Sequence, residues 1–271
     1  MSSEPKLSKE FSAHLDAGHK IDTTETFNLL LATRDKAWDI ISKALPFQED
    51  NHCADIHQFD DLSGNPLGRM RNFTGPKCHV DWVIHSNIGN PSNTFTNIHL
   101  TFWMAGNTDV PHLGLAFGTL PDVFFYADLM PRYELVTKPK HCHAYYDPIN
   151  TLHLELGKDL HTAGYTALIP HMAYIRSSLS PCVLAGVTSP EFYTEKAEPR
   201  IFELVNYWVD LVKNAREISD PKEQVFLKER DYQQRKNIVY LDPANPIAAR
   251  LVGQEAADRL VRILAGEERG D

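Results

Sequence analysis

At 271 residues, 42% of them apolar and 23% charged, the chain has the composition of a globular protein and is long enough to bury a sizeable core. Its formal charge of −9 excludes a non-specific grip on nucleic-acid phosphates, which needs clustered Lys and Arg; the basic runs here are as short as Lys138-Pro139-Lys140 and Arg235-Lys236. No apolar stretch approaches the ~20 residues of a membrane span. The N-terminus carries neither a signal-peptide apolar run nor an Arg-rich, acid-poor transit composition. Four cysteines, at 53, 78, 142 and 182, form no CxxC pair or disulfide framework, so reduced thiols are expected. These features point to a cytoplasmic protein, or one of the plastid stroma if the chain is a mature form lacking its transit peptide.

Residues 1–20 are polar and are expected to form a flexible arm ahead of a single domain over residues 21–271. A helix is predicted from Thr23 to Leu45, opened by a capping box of Asp22 and Glu25 and stopped by Pro46. From about Asp55 to Leu129 the apolar period changes to two. Strands are predicted at Ile56–Phe59, His79–Ser86, Thr94–Met104, Leu113–Leu120 and Val123–Leu129, joined by short turns as in an antiparallel sheet. Helical periodicity returns after Asp147-Pro148, with helices at Ile149–Ala163, Pro199–Glu217 and Pro221–Lys236. The second carries Ile201, Val205, Trp208, Val212 and Ala215 on one stripe, with Pro199 at its start. The third has Asp220 as its N-cap and Glu223 in a second capping box. One more strand is expected around Cys182–Val187, and a last helix after Gly253. The fold class is α+β, a mostly antiparallel sheet with helices packed on it.

The segment "NIHLTFWMAGNTDVPHLGLAFG" (97–118) reads as two strands around a turn. In a strand, alternate residues share a face. Ile98, Leu100, Phe102 and Met104 form a core face on the first strand, as do Leu113, Leu115 and Phe117 on the second. The opposite face carries Asn97, His99, Thr101 and Trp103 beside His112, Gly114, Ala116 and Gly118. Two readings stand here: a solvated surface with an exposed His99, or a shallow slot for a flat ligand. Trp103 favours the slot, because an exposed Trp is uncommon.

Thirteen histidines raise a metal hypothesis. His79 and Asp81 share a strand face, and His141, His143 or His153 could complete a two-His-one-carboxylate iron site, which would make the chain a non-heme iron oxygenase. His141-Cys142-His143 has ligand chemistry but no partner at a specific spacing. Turn and surface histidines are the plainer reading, and no metal site is expected. There is no GxSxG elbow, GxGxxG or P-loop, hence no signature of nucleophilic hydrolysis, nicotinamide, flavin or ATP. The electrons of any redox reaction would come from a partner protein.

Several segments in order resemble the red chlorophyll catabolite reductase family and, more distantly, the ferredoxin-dependent bilin reductases. They are "VDWVIHS" (80–86), "VFFYADLMPR" (123–132), "YIRSSLSP" (174–181) and a tail containing "LDPANPIAARLVGQE". The resemblance implies a three-layer α/β/α sandwich with a pocket between the sheet and the C-terminal helices. There a linear tetrapyrrole, red chlorophyll catabolite or a bilin, would be reduced by single electrons from ferredoxin, with no metal or flavin and a radical intermediate taking up protons. It also implies that His99 and Asp242 are the catalytic groups, from the sheet and the C-terminal side. Arg176 and Ser178 become candidate partners for propionates, since a guanidinium binds a carboxylate through two parallel hydrogen bonds.

One departure alters that expectation. Seventeen residues after the histidine the family sets an acidic side chain, and here that place is Ala116. Proton transfer would rest on His99, His112, Asp242 or water. His112 lies on the same strand face, but ~13 Å along the strand. A second reading follows: a tetrapyrrole-binding or carrier protein that leaves its pigment unchanged. Docking of ferredoxin would need a local basic patch, with Arg132, Lys138, Lys140, Lys228, Arg230, Arg235 and Lys236 as candidates. A homodimer is left open.

Overall fold

The computed structural model describes residues 21–93, 95–120, 122–158, 165–167, 170 and 172–270; the arm expected over residues 1–20 lies outside them. The first helix, α1 (Thr24–Ala44), buries Phe27, Leu30, Ala37 and Ile41 at helical spacing. Asp22 accepts the Thr24 N–H at 2.9 Å, while Thr23 stands at the helix boundary without a side-chain cap; the expected box of Asp22 and Glu25 is not made. Where a strand is expected at Ile56–Phe59, the chain instead makes a 3-10 turn, Ala54–Ile56.

The strands are β1 (Gln48–Asp50), β2 (Phe59–Asp60), β3 (Pro66–Gly75), β4 (Val80–Asn90), β5 (Phe95–Met104), β6 (His112–Leu120), β7 (Asp122–Met130), β8 (Tyr165–Ala167) and β9 (Leu184–Thr188). Among the described residues they form one sheet in the order β1-β3-β4-β5-β6-β7-β9-β8, with β2 also on β3. Every pairing is antiparallel. Strand β3 goes unpredicted because "PLGRMRNFTG" interleaves glycines and arginines with its apolar residues. Gly68 is required there: a Cβ would sit 2.5 Å from the Asn87 carbonyl oxygen.

The longer remaining helices are α2 (Pro139–Tyr145), α3 (Asn150–Lys158), α4 (Ala173–Ser178), α5 (Glu198–Lys213), α6 (Pro221–Tyr240), α7 (Asn245–Val252) and α8 (Gln254–Leu264), with a helical turn Pro190–Phe192 and a π-helical turn Tyr193–Ala197 leading into α5. The end of the helix expected over Ile149–Ala163 falls outside the described residues. Asp220 caps α6 by accepting the Lys222 N–H at 2.9 Å, and α6 runs four residues past its predicted end.

Two apolar clusters make the molecule three-layered. On one face, Val83, Ile98, Leu100, Phe102, Leu113, Leu115, Phe117 and Phe125 pack against α1 and α5. Ile201, Val205, Trp208 and Val212 of the predicted stripe are buried there; Ala215 lies past the helix end and only skirts the core. On the other face a smaller cluster joins Met70, Trp82, Ile84, Trp103 and Met130 to Leu260 and Ile263 of α8. Trp82 Nε1 donates to the Ile263 carbonyl at 3.1 Å. No helix among the described residues is long and apolar enough to cross a membrane.

Phe102 has no exposed surface and lies 4.9 Å, ring to ring, from Trp208. Phe102→Ala is expected to cost about 3–5 kcal/mol by removing buried area and leaving a cavity, measured as a lowered midpoint of urea unfolding.

Candidate active site

Antiparallel register aligns side chains into rows across the sheet face that looks toward α6 to α8. One row reads Ser86, His99, Ala116, Tyr126, Ala185. The next reads Ile84, Thr101, Gly114, Asp128. On the other side lies Ile88, Asn97, Gly118, Phe124, Val187. Asn97, His99, Thr101, Trp103, His112, Gly114, Ala116 and Gly118 thus share one face, as the alternation predicts.

They are not equally open. Trp103 and His112 are 3% and 0% exposed, their rings tilted against each other at 4.8 Å, so neither lines a slot; Trp103 clusters with Leu260 and Ile263 of α8 and His112 faces Asp231 of α6, since a large ring on a sheet face is driven under the nearest helix. Trp103 Nε1 finds no acceptor among the described residues. The glycines of β6 are not bare floor either. A Cβ on Gly114 would meet Tyr126 Cε1 at 3.1 Å and Met130 Cε at 3.2 Å, and one on Gly118 would meet the Thr96 carbonyl at 2.6 Å. Their missing side chains make room for neighbours. What remains half-open is the patch of Asn97, His99, Ala116, Phe124 and Tyr126, with Thr101 closed at its margin.

Asp242 arrives from the other layer. The helix α6 ends at Tyr240, and the Asp242 carboxylate accepts the Ala244 N–H at 2.8 Å, an Asx turn that fixes the "DPA" bend. Asp242 and His99 lie close enough to act on each other's charge. Burial holds the His99 imidazole below its ordinary range and the Asp242 carboxylate attracts its charged form. Burial likewise pushes Asp242 up, against the Ala244 N–H and His99. The two shifts run toward each other, the imidazole downward and the carboxyl upward.

A buried charge cluster sets this meeting. Arg132, with no exposed surface, donates through Nε and Nη2 to Asp231 Oδ2 at 2.9 and 2.6 Å. It also donates to the carbonyls of Thr108, Val110 (3.3 Å) and Ala105 (2.9 Å). Arg230 reaches Asp231 Oδ1 at 3.0 Å and the Pro131 carbonyl at 2.7 Å. His112 Nδ1 accepts the Met104 N–H at 2.9 Å, so in the neutral ring Nε2 carries the hydrogen. That nitrogen faces Asp231 Oδ1 at 3.1 Å, without hydrogen-bond alignment. Helix α6 is thereby tied to β6, to the β5–β6 connection and to the end of β7. Arg132 and Arg235 (5% exposed, paired with Asp81 at 2.8 Å) are interior groups, and as such no part of a docking surface; Lys138, Lys140 and Lys228 are exposed.

Arg176 and Ser178 sit on α4. Arg176 is exposed and donates to the Pro170 carbonyl at 2.7 Å, and the Ser178 hydroxyl donates to Tyr174 within its own helix at 3.2 Å. His79 occupies a left-handed turn (φ 58°), and Asp81 turns its oxygens to Arg235 and Arg269. His143 faces Asp147 at 2.6 Å, His153 the Val183 carbonyl at 2.8 Å and His141 Asp109 at 3.7 Å. The histidines and carboxylates weighed as iron ligands are dispersed, and no group of three His, Cys, Asp or Glu side chains among the described residues could hold a metal ion. A concavity of about 580 Å³ lined by Tyr133, Lys138, Glu223 and Phe226 shares no residue with the His99 patch.

Sequence reading missed Asp128. It shares the face of Phe124 and Tyr126 on β7, has no exposed surface, accepts the Ser180 N–H at 2.9 Å and contacts the Ser180 hydroxyl. Burial pushes its pKa up to about 6. The available signal was the alternation Phe124, Tyr126, Asp128 against Val123, Phe125, Ala127, which puts a carboxyl on the inner, helix-covered face.

The solved structure of phytochromobilin synthase from tomato in complex with biliverdin matches with a TM-score of 0.72 at 16% identity, over 85% of this chain and 80% of that one; at that identity the likeness is one of fold. No curated protein matches the chain. The family model of red chlorophyll catabolite reductase matches residues 44–266, and the chain belongs to that family.

Asp231→Ala leaves Arg132 buried without its carboxylate and is expected to cost about 3–5 kcal/mol, read from urea unfolding. Burial lowers the His112 pKa to about 4 from 6.5, so the unfolded chain takes the proton first and this stability is lost as pH falls from about 6.5 to 4. The stability advantage of the native protein over His112→Asn should therefore shrink across that window in denaturation series; an advantage constant with pH contradicts the assignment.

Proposed function

We propose that the protein reduces an open-chain tetrapyrrole of the red chlorophyll catabolite or bilin class, using single electrons from reduced ferredoxin and protons from its own side chains. The observation that carries this reading is the convergence of His99 and Asp242 over a half-open aromatic and small-residue patch, in a chain of the red chlorophyll catabolite reductase family. The tomato structure named above holds biliverdin on the same fold, which supports a pigment of this shape.

The chemistry asked of the chain is limited. An electron added to a conjugated pigment raises its basicity, and a positioned acid then supplies the proton. Asp242, its pKa raised by burial, is the candidate acid. His99, its pKa lowered by burial, orients the pigment and can pass the proton on. Asn97 and Phe124 offer an amide and a ring face beside it. The exposed lysines 138, 140 and 228 are candidate contacts for the acidic ferredoxin, whose place of work is the stroma or a cytosol-like compartment. Ala116 favours a second reading, a carrier that holds the pigment without reducing it, because a methyl group donates no proton.

Anaerobic absorbance titration with biliverdin and red chlorophyll catabolite, followed by reduced ferredoxin, separates the two. The reductase reading expects a red-shifted bound spectrum that changes only when ferredoxin is added, slowed about 10²-fold or more by Asp242→Asn and by His99→Gln. Tight binding with no ferredoxin-dependent change supports the carrier, and absence of binding rejects both.

A further inference from the structure

The pigment proposed above meets the sheet as well as Asp242, and the inference here rests on that reading. On the sheet side β6 offers Gly114, Ala116 and Gly118, with His112 covered by other side chains. The next ionisable group along the His99–Ala116 row is Tyr126, the cross-strand partner of Ala116, with Cβ atoms ~4.5–5.5 Å apart. Tyr126 is half-buried, so part of it faces the opening. Its ring leans over Gly114, and its hydroxyl reaches Asp128 Oδ2 at 3.4 Å.

Asp128 and Asp231 are both buried carboxyls, and their surroundings differ. Asp231 has Arg132, Arg230 and His112 around it, which hold it well below the usual carboxylate range. Asp128 has no Lys, Arg or His among its described partners. It is met by the Ser180 N–H and hydroxyl and the Tyr126 hydroxyl. The other ionisable groups near it are Tyr146, beyond α2, and Cys182, ahead of β9; burial raises both, Cys182 to about 12, so they stay neutral. A carboxyl whose only task was to hold the Ser180 loop would do as well as an amide. Placed without a cation and against a half-open phenol, it can store a proton.

We propose that Tyr126 and Asp128 form a proton relay that feeds the sheet side of the pigment in place of an acid at position 116. For each electron given by ferredoxin, the one-electron-reduced pigment takes the Tyr126 phenolic proton as that O–H bond breaks. The Asp128 carboxyl proton moves to the phenolate oxygen. The relay ends with Tyr126 neutral and Asp128 ionised, and one proton from water restores it. Tyr126 is the group that touches the pigment; Asp128 acts through it and lies ~12 Å from His99 by sheet spacing and rise.

Single-turnover reduction of biliverdin by reduced ferredoxin, followed between about pH 5 and 8, tests the relay. The proton-uptake phase is expected to slow about tenfold per pH unit above about 6, because the raised pKa of Asp128 sets the protonated fraction. Asp128→Asn keeps an acceptor for the Ser180 N–H; it and Tyr126→Phe should lose the limb and slow the phase by about 10² or more. Ser180→Ala keeps the acid but removes a donor to its ionised form, so the limb should move to higher pH. That shift does not depend on Asp128→Asn folding. Wild-type rates and an unmoved limb in Tyr126→Phe and Ser180→Ala overturn the relay alone. A native protein with no ferredoxin-dependent spectral change overturns the reductase reading, and the relay with it.

Discussion

The contact on which the site depends is the Asp231 carboxylate inside the protein. One oxygen takes two N–H groups from Arg132 and the other meets Arg230 and His112. Arg132 and His112 belong to the sheet layer, while Arg230 and Asp231 belong to α6. Removing these charges from water costs several kcal/mol per ion, and that penalty is offset only in this one arrangement, where each group finds its partner. The cluster therefore acts as a register pin: α6 can slide or rotate only by stranding a buried guanidinium. Eleven residues on in the sequence, the same helix delivers Asp242 above His99.

Around that pin, two kinds of carboxyl serve opposite ends. Asp231 is surrounded by positive charge and stays ionised, so it holds structure. Asp128 is buried and Asp242 half-buried, each with hydrogen-bond donors but little or no positive charge, and both pKa values are raised, that of Asp128 to about 6. Such carboxyls reduce stability as pH rises through their raised pKa values, since the unfolded chain ionises first. Their retention near a half-open patch is what function explains and packing does not.

Much of this was legible in the chain. Period-two alternation placed β4 to β7 and the polar face of β5, and the stripe from Ile201 to Val212 placed α5. The resemblance in the tail pointed to Asp242, and the fold brings it to His99. What sequence could not show is which members of that face are covered. Trp103 and His112 have the same alternation as His99, yet the first packs with α8 and the second lies against Asp231 of α6, while His99 is left half-buried. The glycines of β6 suggested empty floor, but Tyr126 and Met130 lean into the space beside Gly114. Strand β3 escaped notice because Gly68 answers a close approach of Asn87, a long-range requirement that local pattern does not carry. Arg132 and Arg235, charged residues expected at the surface, lie inside because their acids arrive from residues 231 and 81.

The central claim is that α6 holds Asp242 in electrostatic reach of His99. Its most direct test is an NMR titration of the His99 ring in the native protein and in Asp242→Asn. Since the carboxylate favours the protonated imidazole, removing its charge should lower the His99 pKa further. A His99 titration unchanged by Asp242→Asn would mean that the two groups do not share a site.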